Sequence, residues 1–212
     1  LSQLGGHKDL GIHTEMFADG VLPLVEKGVV NGRNKVTDKG KIVSTFLMGS
    51  QQVYDFIDNN PGVLMKDVAY TNDPFIIAQN YRMISINSCL EVDFMGQVAS
   101  ESIGMRQCSG IGGQVDFVRG ASIAREGKSI IAMPSTAAGG TISRIKPFLT
   151  PGAAVSTTRN DVNYIVTEYG IARLKGRTLQ HRAEDLIRIA HPDFRPQLIE
   201  EYERRFMSKF QA

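Results

Sequence analysis

Short apolar segments alternate with helix-like stretches along most of this chain, and that alternation constrains its fold more than any other feature. Residues 41–48 read as a strand that leads through Gly49 into an amphipathic helix over 51–58, which Ser50 can N-cap and the Asn-Asn-Pro-Gly run at 59–62 ends. From 84 to 94 the apolar side chains fall at Ile84, Ile86, Leu90, Val92 and Phe94, with Ser85, Asn87, Cys89, Glu91 and Asp93 between them. That period of two predicts a half-buried strand, interrupted on its apolar face by Ser88. Residues 129–133 read as a buried strand stopped by Pro134, and 153–157 and 164–167 as two more. A helical stripe follows at Leu179, Ala183, Leu186, Ile187 and Ala190, and 196–206 continues as a charged helix. The pattern predicts an α/β fold: a mostly parallel sheet of at least five strands flanked by helices. No repeat, low-complexity run or linker breaks it, so one domain over 1–212 is expected.

Composition narrows the function. With 42% hydrophobic and 22% charged residues the chain can bury a real core, which excludes disorder for most of it. The formal charge is +2 and the basic residues are scattered, so no electrostatic footprint points to nucleic acid. The longest apolar runs, such as Ile130 to Met133, fall far short of the roughly 20 residues that span a bilayer, so no membrane helix is expected. The chain starts at Leu1 with no basic segment followed by an apolar core, and no signal peptide is expected. Cys89 and Cys108 form no CxxC pair; both read as buried core residues, and a reducing cytoplasm fits. His7, His13, His181 and His191 lack HxxxH or HExxH spacing, so no metal site is expected.

Glycine, at 21 residues, is enriched and clusters between Gly96 and Gly140, the mark of backbone that turns sharply or approaches something closely. Nucleotide motifs do not account for it. Gly127-Lys128-Ser129 could end a P-loop, but the first glycine of that motif would fall on Ser122. Ser109-Gly110-Ile111-Gly112-Gly113-Gln114 approaches a dinucleotide fingerprint, yet the sixth position from Gly110 is Val115. A tight turn and a ligand loop both fit this segment. Near the start, Gly11-Ile12-His13-Thr14-Glu15-Met16-Phe17 sets a carboxylate among apolar residues; taken alone, such a glutamate is ordinarily a solvated helix-surface acid.

Taken together, three motifs carry more. The run from His7 to Met16, the run from Ser109 through Gly-Ile-Gly-Gly-Gln-Val-Asp-Phe-Val-Arg-Gly to Ala121, and Val166-Thr-Glu-Tyr-Gly-Ile-Ala172 resemble the acetyl-CoA hydrolase/transferase family, in particular its 4-hydroxybutyrate CoA-transferase branch. His191-Pro192-Asp193-Phe194 follows in the same order. The likeness covers about the second half of a typical family member, so 1–212 is expected to be its C-terminal domain, part of a longer chain.

The resemblance implies that Glu15 is a covalent nucleophile that passes through a glutamyl-CoA thioester while CoA moves from a short-chain acyl-CoA, acetyl-CoA foremost, to a small carboxylic acid such as 4-hydroxybutyrate or butyrate. Coenzyme A is then a substrate, with no permanently bound cofactor. The two-step covalent route conserves thioester energy that attack by water would dissipate. It also implies contact between the CoA thioester region and Gly110, Gly112, Gly113 and Gln114, where missing Cβ atoms permit close approach and Gln114 offers an NH₂ donor. Asn87 is a weaker candidate. Arg119 and Lys128 fit either CoA phosphates or solvent. Glu168 fits an architectural cap or pair better than a chemical role, and His13 fits orientation of its loop better than proton abstraction. Two alternatives stand beside the transferase: a hydrolase in which water opens the same intermediate, and a non-catalytic CoA-binding or assembly fragment. A homodimer is the assembly the resemblance suggests.

Overall fold

The computed structural model describes residues 1–211, which divide into two compact units, Leu1–Met83 with Ile123–Gly127 and Ile84–Ser122 with the described residues from Lys128 onward. The boundary at Met83 and Ile84 has no proline, glycine or charge run to mark it in the sequence.

In the first unit, strands β1 (Met16–Phe17), β2 (Ile42–Ser44), β3 (Phe46–Leu47) and β4 (Val63–Met65) alternate with helices α1 (Leu22–Glu26), α2 (Gln51–Ile57), α3 (Val68–Thr71) and α4 (Pro74–Ala78). β1 pairs with β3 and β2 with β4, both in parallel, and a bridge joins His13 to Val43. His13 with Val43 and Met16 with Phe46 share one offset, so residues 13–17 run beside 43–47 in constant register. The strand expected over 41–48 is therefore divided at Thr45, where Glu15 O accepts both Thr45 N and Phe46 N at 2.9 and 3.1 Å. Ser50 takes the N-cap position of α2 but makes no cap bond with its hydroxyl, which turns instead to Asp19; Ser50 N donates to that carboxylate at 3.0 Å. Parallel strands need a crossover, and α2 supplies it between β2 and β4. The core gathers Phe17, Val21, Leu24, Val29, Val30, Ile42 and Val53, with Phe56 stacked on Phe17.

The second unit holds β5 (Ile84–Asn87), β6 (Glu91–Asp93), β7 (Val98–Ala99), β8 (Ser102–Ile103), β9 (Arg106–Gln107), α5 (Gln114–Ile123, its last residue assigned to the first unit), β10 (Lys128–Ala132), β11 (Thr136–Ala137), β12 (Ile142–Ser143), β13 (Ile145–Lys146), β14 (Tyr164–Thr167), β15 (Gly170–Arg173), α6 (Leu179–Arg188) and α7 (Arg195–Phe206). Its main sheet runs β15-β14-β10-β5, parallel except for the β14–β15 hairpin; a second sheet runs β13-β6-β7. The α/β class stands, with mixed sheets, and the largest sheet among the described residues has four strands rather than five. Residues 153–157 form no strand: only Thr157 bridges to Val98.

The single strand expected over 84–94 is two, in different sheets, broken around Ser88, and its first half faces the other way from expectation. Ser85 is buried, whereas Ile84 and Ile86 are 53% and 66% exposed. Register explains this. Ser85 lies beside Ser129 on β10, and Ser129 Oγ meets Ser122 Oγ of α5 at 3.2 Å, so small residues line the side that the helix approaches. Of the helical stripe expected over 179–190, Ala183, Leu186, Ile187 and Ala190 are fully buried in the core with Tyr202 of α7, whereas Leu179, in the first turn, is exposed. Among the described residues no helix is long and apolar enough to cross a membrane.

Candidate functional site

Glu15 sits in the first unit at the head of β1, and its main chain is held on three sides. Its carbonyl accepts Thr45 N, Phe46 N and the buried Ser44 hydroxyl (2.9 Å). Its side chain, half-buried, takes a hydrogen bond at Oε2 from Asn72 Nδ2 at 3.0 Å. The residue is therefore neither on a helix nor a freely solvated acid. Asn72 is the C-cap of α3 and is 9% exposed; its Oδ1 and Thr45 Oγ1 are buried without a hydrogen-bond partner.

His13 anchors the same segment to the same helix end. Its Nε2 lies 2.8 Å from Thr71 O, and since a carbonyl can only accept, Nε2 carries the hydrogen. Burial pushes the His13 pKa down, against the raising effect of that bond, so the ring is neutral at physiological pH. Residues 13 and 15, in the segment leading into β1, thus reach consecutive residues, 71 and 72. Asp67 caps the opposite, N-terminal end of this one-turn helix by accepting Tyr70 N at 2.9 Å.

The other candidates belong to the second unit. Gly110 and Gly112 are exposed and Gly113 is buried just before α5, where Gly113 O accepts Phe117 N at 3.1 Å. The helix whose place was open in the sequence starts at Gln114. Gly112 has φ +59°, which a side chain rarely adopts, so the loop's turn into the helix depends on it. Main-chain N–H groups at the start of a helix of this length favour an anionic or polarised oxygen. Gln114 uses its NH₂ to donate to Thr157 Oγ1 at 2.9 Å, and Asn87 Nδ2 donates to Ser85 Oγ at 2.8 Å. Arg119 is paired with Asp161 through two contacts at 3.1 and 3.2 Å, whereas Lys128 is exposed. Glu168 accepts from Ser135, hydroxyl to Oε1 at 2.6 Å and N–H to Oε2 at 2.8 Å, and these bonds hold its pKa down.

Cys89 is buried and burial pushes its thiol up to about 12, but Cys108 is exposed, which corrects the expectation that both are core residues. Its own N–H and that of Ser109 both donate to Glu101 O, and the side chain is exposed on a loop. Among the described residues no group of three or more His, Cys, Asp or Glu could hold a metal ion.

Comparison with known proteins fits this arrangement into a family. Residues 49–202 match the model of the acetyl-CoA hydrolase/transferase C-terminal domain, and the chain belongs to that family. It is 58% identical over 203 residues to the 4-hydroxybutyrate coenzyme A transferase of Clostridium kluyveri, covering 96% of this chain and 47% of that protein. Among solved structures, the crystal structure of 4-hydroxybutyrate CoA-transferase from Porphyromonas gingivalis is 52% identical with a TM-score of 0.84, over 97% of this chain and 48% of that one. RipA from Yersinia pestis is 44% identical with a TM-score of 0.92, over 98% and 47%. The chain spans about half the length of the relatives it matches.

Asn72 was not singled out by the sequence. Its only local signal is an Asn-Asp-Pro run that ends one short helix and caps the next, and nothing in that run connects it to a glutamate 57 residues earlier.

Proposed function

We propose that the chain is the C-terminal domain of a longer CoA-transferase, which moves CoA from a short-chain acyl-CoA, acetyl-CoA foremost, to a small carboxylic acid such as 4-hydroxybutyrate or butyrate. Glu15 is the nucleophile. The observation that carries this reading is the Asn72 hydrogen bond to Glu15 Oε2 in a chain of this family. With Oε2 held, Oε1 attacks the thioester carbonyl; the C–S bond breaks, CoA leaves as thiolate, and a mixed anhydride forms. The thiolate then attacks the glutamyl carbonyl, the anhydride C–O bond breaks, the first acid departs as carboxylate, and Glu15 carries CoA as a thioester. A second carboxylate reverses both steps and leaves as the new acyl-CoA, which restores the Glu15 carboxylate.

In each glutamyl tetrahedral intermediate the negative charge develops on Oε2, where Asn72 already donates. A donor placed before charge develops needs no reorganisation during the step. The three bonds to Glu15 O fix the main chain from which the side chain projects, and the Asn72 bond holds the carboxylate itself, which favours a near-attack geometry. Gly110, Gly112, Gly113 and Gln114 are assigned to the acyl-CoA thioester carbonyl, supported by their position at the start of α5; Asn87 is assigned a lesser polar contact. CoA enters as substrate, and no resident cofactor is required. We place the enzyme in the cytoplasm as a homodimer, which light scattering of the purified full-length protein tests.

Borohydride added after the full-length protein meets acetyl-CoA should reduce a glutamyl thioester and convert Glu15 to the alcohol, read by peptide mass. Intact turnover with no modified Glu15 would overturn the mechanism. The family description also admits hydrolysis, in which water opens the same thioester. Acetate release that rises steeply when an acceptor acid is added marks the transferase; release that ignores the acceptor marks the hydrolase.

A further inference from the structure

Lysine is almost never fully buried unless paired, yet Lys35 is only 8% exposed. Its ammonium donates to two main-chain carbonyls, Ile12 O and Lys41 O, each at 2.9 Å. Ile12 O also accepts Val43 N at 3.1 Å, so the ammonium stands at the root of the ladder that continues through Thr14 N to Val43 O and then to the three donors on Glu15 O. The aliphatic stem occupies the space beside Gly11, where a Cβ would come within 2.4 Å of Lys35 Cγ. This explains the glycine that opens the Gly-Ile-His-Thr-Glu run: a side chain there would displace the lysine.

The charged groups that act on this ammonium are Asp38, which favours the cation, and the neutral His13 ring, whose protonation Lys35 opposes. An apolar side chain of similar length would fill the same space without desolvating a charge, and such replacements of buried charges are often neutral or stabilising. Packing alone therefore gives no reason for a lysine. The position of its two acceptors does, because they belong to the two segments whose mutual register sets where Glu15 stands.

We propose that Lys35 is a positioning residue for Glu15, fastening the segment that carries the nucleophile to the segment leading into β2. The proposal rests on Glu15 being the nucleophile. Lys35→Met in the full-length protein keeps the stem and removes the donor. Assayed below its unfolding transition, it should lower kcat on the order of 10- to 100-fold, as expected of a displacement near 1 Å, with KM for acyl-CoA within about twofold. Gly11→Ala, which leaves Lys35 chemically intact but pushes its stem aside, should lower kcat in the same way. A folded Lys35→Met with kcat within about twofold of the parent overturns the proposal. Glu15→Gln separates the two ideas. If it retains turnover and no adduct is trapped in the parent, the nucleophile reading fails; if the adduct is trapped while Lys35→Met stays fully active, only the role of Lys35 fails.

Discussion

Asn72 Nδ2 donates to Glu15 Oε2 across 3.0 Å, while the neighbouring Thr71 carbonyl takes the proton on His13 Nε2 at 2.8 Å. Two residues of the segment leading into β1 are thus held by two consecutive residues at a helix end. The arrangement fixes which carboxylate oxygen of Glu15 is occupied, and under the proposed mechanism it leaves Oε1 to attack.

Replacing Asn72 tests that consequence. Asn72→Ala should lower kcat about 100- to 1000-fold, the usual effect of losing one donor to a developing oxyanion, with a smaller change in KM. Asn72→Asp should be at least as damaging, because it sets a second carboxylate against Glu15. Steady-state kinetics with the full-length protein, together with the yield of borohydride-modified Glu15, check both. An Asn72→Ala enzyme with nearly full kcat would remove Asn72 from the chemistry.

The Lys35 ammonium gives a pH-dependent stability whose sign can be worked out. Burial lowers its pKa from 10.5 to about 8 in the folded state. Below about 8 both folded and unfolded chains hold the proton and the burial penalty is fully present. Between about 8 and 10.5 the unfolded chain binds more protons, so stability rises with pH, by about 3 kcal/mol if this group acted alone. Urea midpoints from neutral pH to 10.5 should show this rising component in the parent chain and not in Lys35→Met.

Much of the fold was legible where one face of an element is covered. The stripe Ala183, Leu186, Ile187, Ala190 could be read because it lies against a single core. Ile84 and Ile86 could not be read correctly, because alternation reports two faces without saying which one a helix approaches, and the choice was made by Ser85, Ser129 and Ser122 meeting on the helix side. The candidate site divides similarly. Glu15 and the glycine run were found through motifs, which are contiguous. Asn72 and Lys35 were not, because each acts on residues 57 and 23 positions away in sequence, a relation that only the folded register creates.

In the second unit Glu91 is 3% exposed and accepts from Lys146 Nζ, from Thr150 N at 2.6 Å and from Thr150 Oγ1 at 2.8 Å, which ties β6 to β13 and to the turn beyond it. Burial alone would raise its pKa, but these donors outweigh burial and the net shift is downward. Glu91→Gln turns an acceptor into a donor facing other donors. Because Lys146 is partly exposed and screened, the loss should be about 2–3 kcal/mol rather than the larger cost of a fully buried pair. Chemical denaturation checks it, and an unchanged midpoint would show the cluster to be energetically idle.

Gly112 offers a test of the glycine loop that spares the core. Its φ of +59° disfavours any side chain, but an added Cβ meets nothing within 4 Å, so Gly112→Ala introduces strain without a clash. The cost should be about 1 kcal/mol, enough to shift the loop toward a different turn while the buried residues of α5, Phe117 and Val118, stay packed. If the loop meets the acyl-CoA thioester, that shift should raise KM for acyl-CoA several-fold, beside the small loss of stability that the strain brings in either case. If Gly112 serves only as a turn, the same substitution lowers the melting temperature slightly and leaves KM where it was. Measuring KM and thermal unfolding on one preparation therefore decides between the ligand loop and the tight turn that the sequence alone left equal.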